Sequence, residues 1–167
     1  MKKNTFISFL LLLCLGCTSQ QNDQPTQQQK DQIKSEVKAA VDSIFANIER
    51  LDANGVLQYF WDSPDFVAYN ADGSHADFQA AKKALTDGIA GSTSFKPILR
   101  EEEFRVVTRD FVVYSRVQRA EIVLNSGDKM IADPDAMTVL FRKIDGQWKV
   151  VYSHESEIPV LEKVGKK

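Results

Sequence analysis

Four long runs of strand character fill the C-terminal part of the chain, and they limit its fold more than any other feature. Ile98–Val107, Phe111–Leu124, Lys129–Ile144 and Gln147–Ile158 are separated only by Arg109-Asp110, Ser126-Gly127-Asp128 and Asp145-Gly146. Connections this short leave no room for a crossover, so the strands form an antiparallel meander. Twelve or more extended residues span about 40 Å, too long for a domain built from 167 residues. The strands must therefore curve, and curvature requires bulges. Asp133-Pro134-Asp135 is the expected position of one, because proline has no N–H to donate into a ladder. Unbroken alternation along the last strand places Trp148, Val150, Tyr152, His154 and Ser156 on one face. Lys149, Val151, Ser153 and Glu155 then lie on the other.

The segment before this sheet is helical in pattern. Ile33, Val37, Val41, Ile44, Phe45 and Ile48 recur at spacings of three and four, one apolar stripe on a charged helix. Asp52 is placed to cap a second, short helix with Val56, Leu57 and Phe60 facing inward. Trp61-Asp62-Ser63-Pro64 breaks it, since proline disfavours helix in the residue before it. Phe66–Tyr69 reads as a short strand and Ala71-Asp72-Gly73-Ser74 as its turn. Asp77 caps a third helix whose buried face is Phe78, Ala81, Leu85 and Ile89. Gly88 and Gly91 suit a left-handed cap, and Ser92-Thr93-Ser94 reads as a loop. The fold class that follows is α+β, with three N-terminal helices against a long, curved antiparallel sheet.

Residues 1–16 carry Lys2 and Lys3, an apolar run from Phe6 to Leu15, and Gly16. This is the pattern of a secretory signal peptide, too short for a spanning helix of roughly 20 apolar residues. Leu15-Gly16-Cys17 resembles the bacterial lipobox, with Cys14 where leucine is usual. The resemblance implies lipidation of Cys17 and residence in a cell envelope, and Thr18 after the cysteine favours the outer membrane. Residues 17–30, rich in Gln, Asn, Ser and Thr, read as a flexible tether, residues 31–160 as the folded domain, and residues 161–167 as a basic tail. Once Cys14 leaves and Cys17 is lipidated, the domain has no thiol for a disulfide or a cysteine metal site. Loss of Lys2 and Lys3 takes the formal charge from −2 to −4, and the domain has no clustered basic face, which argues against nucleic-acid binding.

The order of elements, the helix-one stripe, the Asp52–Phe60 segment, and the ending Phe141-Arg142-Lys143, Asp145-Gly146-Gln147-Trp148, His154-Glu155-Ser156 together resemble the nuclear transport factor 2-like superfamily. The resemblance is particularly to its SnoaL-like branch. The resemblance covers roughly Ile33 to Ile158. It implies a cone-shaped, cystatin-like roll in which the sheet wraps the helices around a pocket. Such domains serve as isomerases, dehydratases, cyclases, hydrolases, or as binding and dimerisation modules, so fold alone does not give function.

The same resemblance carries a pocket-reaching His-x-Ser ending onto His154 and Ser156, with His154 a candidate base. A histidine and serine hydrogen-bonded into the sheet end is the structural alternative. Tyr114, Arg116 and Gln118 share a face of the second long strand. They hold a ligand if that face is inward; otherwise Arg116 pairs with Glu102 or Glu121 outside. Trp61, Tyr69 and His75 are candidates for the pocket rim. Asp62, Asp65, Asp72 and Asp77 each sit at a turn or cap where a structural role suffices, while Asp133 and Asp135 flank the expected bulge. His75 and His154, the only histidines, lack metal-ligand spacing, and no nucleotide or cofactor fingerprint is present. Neither a metal nor a cofactor is expected. With no clear acid/base pair, the leading expectation is a non-catalytic module that binds a small apolar or mixed ligand, or dimerises through its sheet. The alternative is acid/base chemistry on a small carbonyl compound with His154 as base.

Overall fold

Helix α1 (Gln27–Glu49) begins inside the stretch expected to be tether. Thr26 explains the early start: its hydroxyl accepts from the Gln29 N–H at 3.3 Å, and the Gln29 side chain accepts from the Thr26 N–H at 2.9 Å. This reciprocal cap satisfies two otherwise unpaired donors. Glutamine is a good helix former once a cap has set the first turn. The computed structural model describes residues 24–163. The signal peptide, Cys17, the first half of the tether and the last four residues of the tail lie outside the described residues. Ile33, Val37, Val41 and Ile44 are buried as the stripe requires, and Phe45 and Ile48 are half-buried beside them.

Asp52 caps α2 (Ala53–Leu57) through the Gly55 N–H. Two short strands, β1 (Val67–Tyr69) and β2 (His75–Ala76), form a hairpin before α3 (Phe78–Ala90). The three helices are thus interrupted by strands rather than gathered ahead of them. Asp77 caps α3 as expected, but Gly91 at its other end is right-handed, φ −78°. A left-handed cap is not needed there. The Ser92 hydroxyl donates to the Gly88 carbonyl, and Asn125 donates to the Ala90 and Gly91 carbonyls. The chain passes directly into β3 (Ser92–Val106), so Ser92-Thr93-Ser94 is strand, not loop.

Strands β4 (Phe111–Leu124) and β5 (Lys129–Ile144) have the expected limits, and β6 (Gln147–Glu162) runs four residues further than expected. The sheet order is β2-β1-β6-β5-β4-β3. The four long strands are antiparallel, but β1 pairs with β6 in parallel, covering what would otherwise be an open edge. Asp145 and Gly146, at φ 50° and 79°, make the left-handed two-residue turn that Asp-Gly favours.

Curvature comes from irregularities in the ladders, among them one in β4 between Gln118 and Ala120. Another is the expected bulge between Ala132 and Asp135. Others fall at Ser92/Ser94 and Leu99/Glu101 in β3, and at Leu140/Phe141 against β6. In the last, Leu140 faces Tyr152 and Phe141 faces Val150, leaving Val151 as the extra residue on β6. The helices cover one face of this curved sheet. The core between them gathers Val37, Val41, Phe66, Phe78, Val112, Phe141, Trp148 and Val150.

Candidate functional site

Cross-strand partners share a face of a sheet, so the register of the long strands assigns every candidate to one side or the other. Tyr114 and Gln118 are buried on the helix-facing side, and β4 alternates without a break between them. Arg116 lies between them, also buried. Opposite Arg116 is Met137, and opposite Met137 is Glu155; opposite Gln118 is Asp135, and opposite Asp135 is Glu157. The extra residue at Val151 is what turns the end of β6. Trp148 and Val150 face the core before it, and Ser153, Glu155 and Glu157 face inward after it. His154 and Ser156 are consequently exposed, the reverse of what unbroken alternation predicts.

The inner face borders a cavity of about 440 Å³ between α1, α3 and strands β3 to β6. Ile44, Phe45 and Ile48 of α1, Leu85 and Ile89 of α3, and Phe95 and Met137 of the sheet form its walls. This explains why Leu85 and Ile89 are only half-buried on a face that helical periodicity marks as core: they border space rather than side chains. Gln118, Asp135, Glu155 and Glu157 make the polar part of the wall.

These polar groups form a chain of hydrogen bonds that stops short. Arg116 lies with its guanidinium 3.6 Å from the centre of the Phe45 ring, a cation–π contact. Its Nε donates to Gln118 Oε1 at 2.6 Å, which leaves the Gln118 amide nitrogen to donate to Asp135 Oδ2 at 2.6 Å. Asp135 is 2% exposed, and its second oxygen, Oδ1, has no hydrogen-bond partner. Asp135, Glu155 and Glu157 each bring an oxygen within 4.8 Å of the other two. Burial, then the charges of Asp135 and Glu157, push the Glu155 carboxyl up to about 7. Burial and Asp135 raise Glu157 as well. Asp135 is raised by burial, against the opposing pull of the Gln118 hydrogen bond and the Arg116 charge. Beside the cluster, Tyr114 donates to Glu102 at 3.2 Å, and burial pushes its phenol up to about 12.

The remaining sequence candidates fall elsewhere. His75, Tyr152 and His154 pack around Tyr69 at ring separations of 6.0 to 6.2 Å, the first two tilted and His154 edge-on. Tyr69 and His154, both exposed, are among the residues that border the cavity. His75 is exposed at the sheet edge, paired with Tyr69 across the hairpin. Ser156 lies in an outer groove with Glu101, Glu103, Ser115 and Thr138. Trp61 is held through its backbone to Val150 and lies beside Arg142, away from the cavity. The outside pairing considered for Arg116 does not form either: Glu121 bonds Arg119 instead.

Residues 37–161 match the SnoaL-like domain. The chain belongs to the SnoaL-like family. Solved structures agree on the fold. A scytalone dehydratase candidate from Novosphingobium aromaticivorans superposes with a TM-score of 0.71 at 14% identity, over 85% of this chain and 94% of that one. A type 2 hexachlorocyclohexane dehydrochlorinase gives 0.64 at 11% identity, over 80% and 93%. An uncharacterised protein with a cystatin-like fold from Caulobacter vibrioides gives 0.64 at 19%, over 76% and 90%. At these identities the likeness is one of fold. No curated protein matches the sequence.

In this SnoaL-like domain the titratable groups gathered in the cavity wall are Asp135, Glu155 and Glu157, and unbroken alternation of β6 had put Glu155 on the other face. A carboxyl held near neutrality inside a cavity can take up and return a proton at ordinary pH. Three carboxylate oxygens at these separations also make a strongly anionic pocket. As a metal site the set is sparse, because calcium takes six to eight oxygens and magnesium a full octahedron. Gln118 already donates its amide to Asp135. One clue was legible in advance: Val150 and Val151 are adjacent apolar residues in a strand otherwise read as alternating, which is how a bulge looks in sequence.

Proposed function

We propose that this SnoaL-like domain holds a small, largely apolar molecule in its cavity. The observation that carries this reading is the cavity itself, about 440 Å³ with aliphatic and aromatic walls and a few polar groups converging in one part of it. Small-molecule sites have this composition: apolar area supplies affinity and a few polar groups fix orientation. Each Å² of apolar surface withdrawn from water contributes about 25 cal/mol. A panel of small apolar compounds screened by thermal shift and native mass spectrometry tests it. The expected result is one-to-one complexes and raised melting temperatures for a subset of compounds. A panel in which nothing binds would refute it.

A second reading, proton-transfer catalysis on the bound molecule, is favoured by the position of Glu155. With its carboxyl near 7, Glu155 is present as carboxylate and as acid in comparable amounts at neutral pH. It can remove a proton from a substrate carbon and give it back at another position or to a leaving group. This moves the role of base from His154, which is exposed, to Glu155. Once a turned-over substrate is in hand, Glu155→Gln is expected to abolish turnover while keeping binding. Full loss in His154→Ala with activity retained in Glu155→Gln would return the role to the histidine.

We further propose that the domain is held at a cell envelope by lipid on Cys17. More than one acyl chain, at about 0.8 kcal/mol per buried methylene, makes such an anchor stable. Cys17→Ala is expected to move the protein from the membrane fraction to the soluble one.

A further inference from the structure

The groups at the polar part of the cavity do not balance. Arg116, the guanidinium behind them, is already occupied by Gln118 and the Phe45 ring, and His154 lies exposed at the cavity's edge. Facing Arg116 are three acids within 4.8 Å of one another. The Gln118 amide is spent on one oxygen of Asp135, and the other oxygen, on a side chain 2% exposed, accepts from nothing. An unpaired buried acceptor costs free energy that a donor would recover. What this corner lacks is a cation that can also donate hydrogen bonds.

We infer that the cavity takes the protonated amino group of a small organic amine at Asp135, Glu155 and Glu157, with the apolar body of the molecule filling the space between α1, α3 and the sheet. This inference rests on the reading of the cavity as a small-molecule site. An ammonium group brings three N–H donors, one for each carboxylate, and the open oxygen of Asp135 is among their acceptors. The apolar walls favour an organic cation over a bare metal ion, since Phe45, Leu85, Ile89 and Phe95 offer a metal nothing. Phe45 and Phe95 also present ring surface that suits an arylalkyl body.

In the empty domain, protons supply what the amine would. Glu155 is the group they occupy near neutrality, and binding a cation must expel them. The charged and titratable groups facing Glu155 are Asp135 from β5, Glu157 from β6 itself, Arg116 and Tyr114 from β4, and Glu102 from β3 beside Tyr114. Tyr69 of β1 and His154 stand at the rim. The cavity walls from α1 and α3 are apolar. Affinity for an amine is therefore expected to rise with pH across 7, with protons released to the buffer.

The test compares 1-naphthylmethylamine, its neutral counterpart 1-naphthylmethanol and the anionic 1-naphthylacetate by titration calorimetry on the full chain, at pH 6 and pH 8 in buffers of different ionisation enthalpy. The amine is expected to bind at least tenfold more tightly than the alcohol at pH 8, to gain affinity from pH 6 to 8, and to release protons. The acid is expected to bind weakest. Glu155→Gln with Glu157→Gln is expected to remove the amine's advantage while leaving the alcohol's affinity within a factor of about three. An alcohol that binds as well as the amine, or an amine affinity that does not rise with pH, overturns the cation assignment and leaves the binding reading standing. Failure of all three compounds, with no hit in the broad apolar panel, overturns both. Titration with magnesium, calcium or manganese alone is the remaining arm: saturable metal binding that blocks the amine would assign the three acids to a metal instead.

Discussion

Glu36 illustrates how much one side chain can tie together. It leaves α1 to accept from Lys143 Nζ at 2.8 Å and from Trp148 Nε1 at 3.0 Å, joining the first helix to both arms of the closing hairpin. These hydrogen bonds, the lysine's first and then the indole's, bring its carboxyl down to about 2. Trp148 is buried, so its N–H would be left without an acceptor if Glu36 were shortened. Glu36→Ala is expected to cost about 1–2 kcal/mol, less than a fully buried charge pair because the Glu36 side chain is 34% exposed. Because the folded-state value lies below the ordinary 4.5, this contribution is present above about pH 4.5 and disappears as pH falls toward 2. Urea unfolding of parent and variant at pH 7 and at pH 2.5 checks both parts. A difference that persists unchanged at pH 2.5 would show that the charge is not what matters.

At the scale of the element, β6 decides what the pocket contains. The limits of β4 and β5, the Asp-Gly turn, the caps Asp52 and Asp77 and the bulge at Asp133-Pro134-Asp135 were all legible, because each depends on local residue chemistry. The face presented by the end of β6 was not. It depends on one extra residue at Val151, opposite the Leu140/Phe141 step, and a one-residue slip exchanges the two faces of a strand. The cluster was hidden for a second reason: Asp135 and Glu157 come together only through the pairing of β5 with β6, which residue spacing along either strand does not reveal. Tyr114, Arg116 and Gln118 were recognised as a set but not as inward. Inserting one residue after Val151, with the bulge keeping a single extra residue, should shift the rest of β6 by one position, turn His154 and Ser156 inward and expel Glu155 and Glu157. The residues after it would then meet the wrong face throughout. Loss of cooperative unfolding, or a fall in melting temperature of more than about 10 °C at about 2–4 °C per kcal/mol, is expected by circular dichroism. An insertion variant as stable as the parent would show that the bulge does not set the register.

For the whole molecule, the cavity and its acids are a cost the rest of the fold must offset. α1 and the inner sheet face contribute burial through Val37, Val41, Val112, Phe141 and Val150, while the space beside them forgoes packing and the cluster crowds like charges. The crowding leaves a mark in the pH dependence of stability. Glu155 has an ordinary value of 4.5 and a folded-state value of about 7, raised by burial, by Asp135 and by Glu157. Between those limits the folded protein keeps a proton that the unfolded chain has released. Stability therefore falls as pH rises from about 4.5 to about 7 and levels off above. The contribution of Glu36 has the opposite sign and lies below about 4.5, so the two windows do not overlap. Glu155→Gln cannot ionise and is expected to remove much of the slope, matching the parent near pH 5 and exceeding it in stability at pH 8. Denaturant unfolding at half-unit steps from pH 5 to pH 8 reads this directly. A parent whose stability climbs through that range, with no gain at pH 8 from Glu155→Gln, would mean that Glu155 is not held among Asp135 and Glu157 out of water, and the acid cluster would lose its claim to be the working part of the cavity.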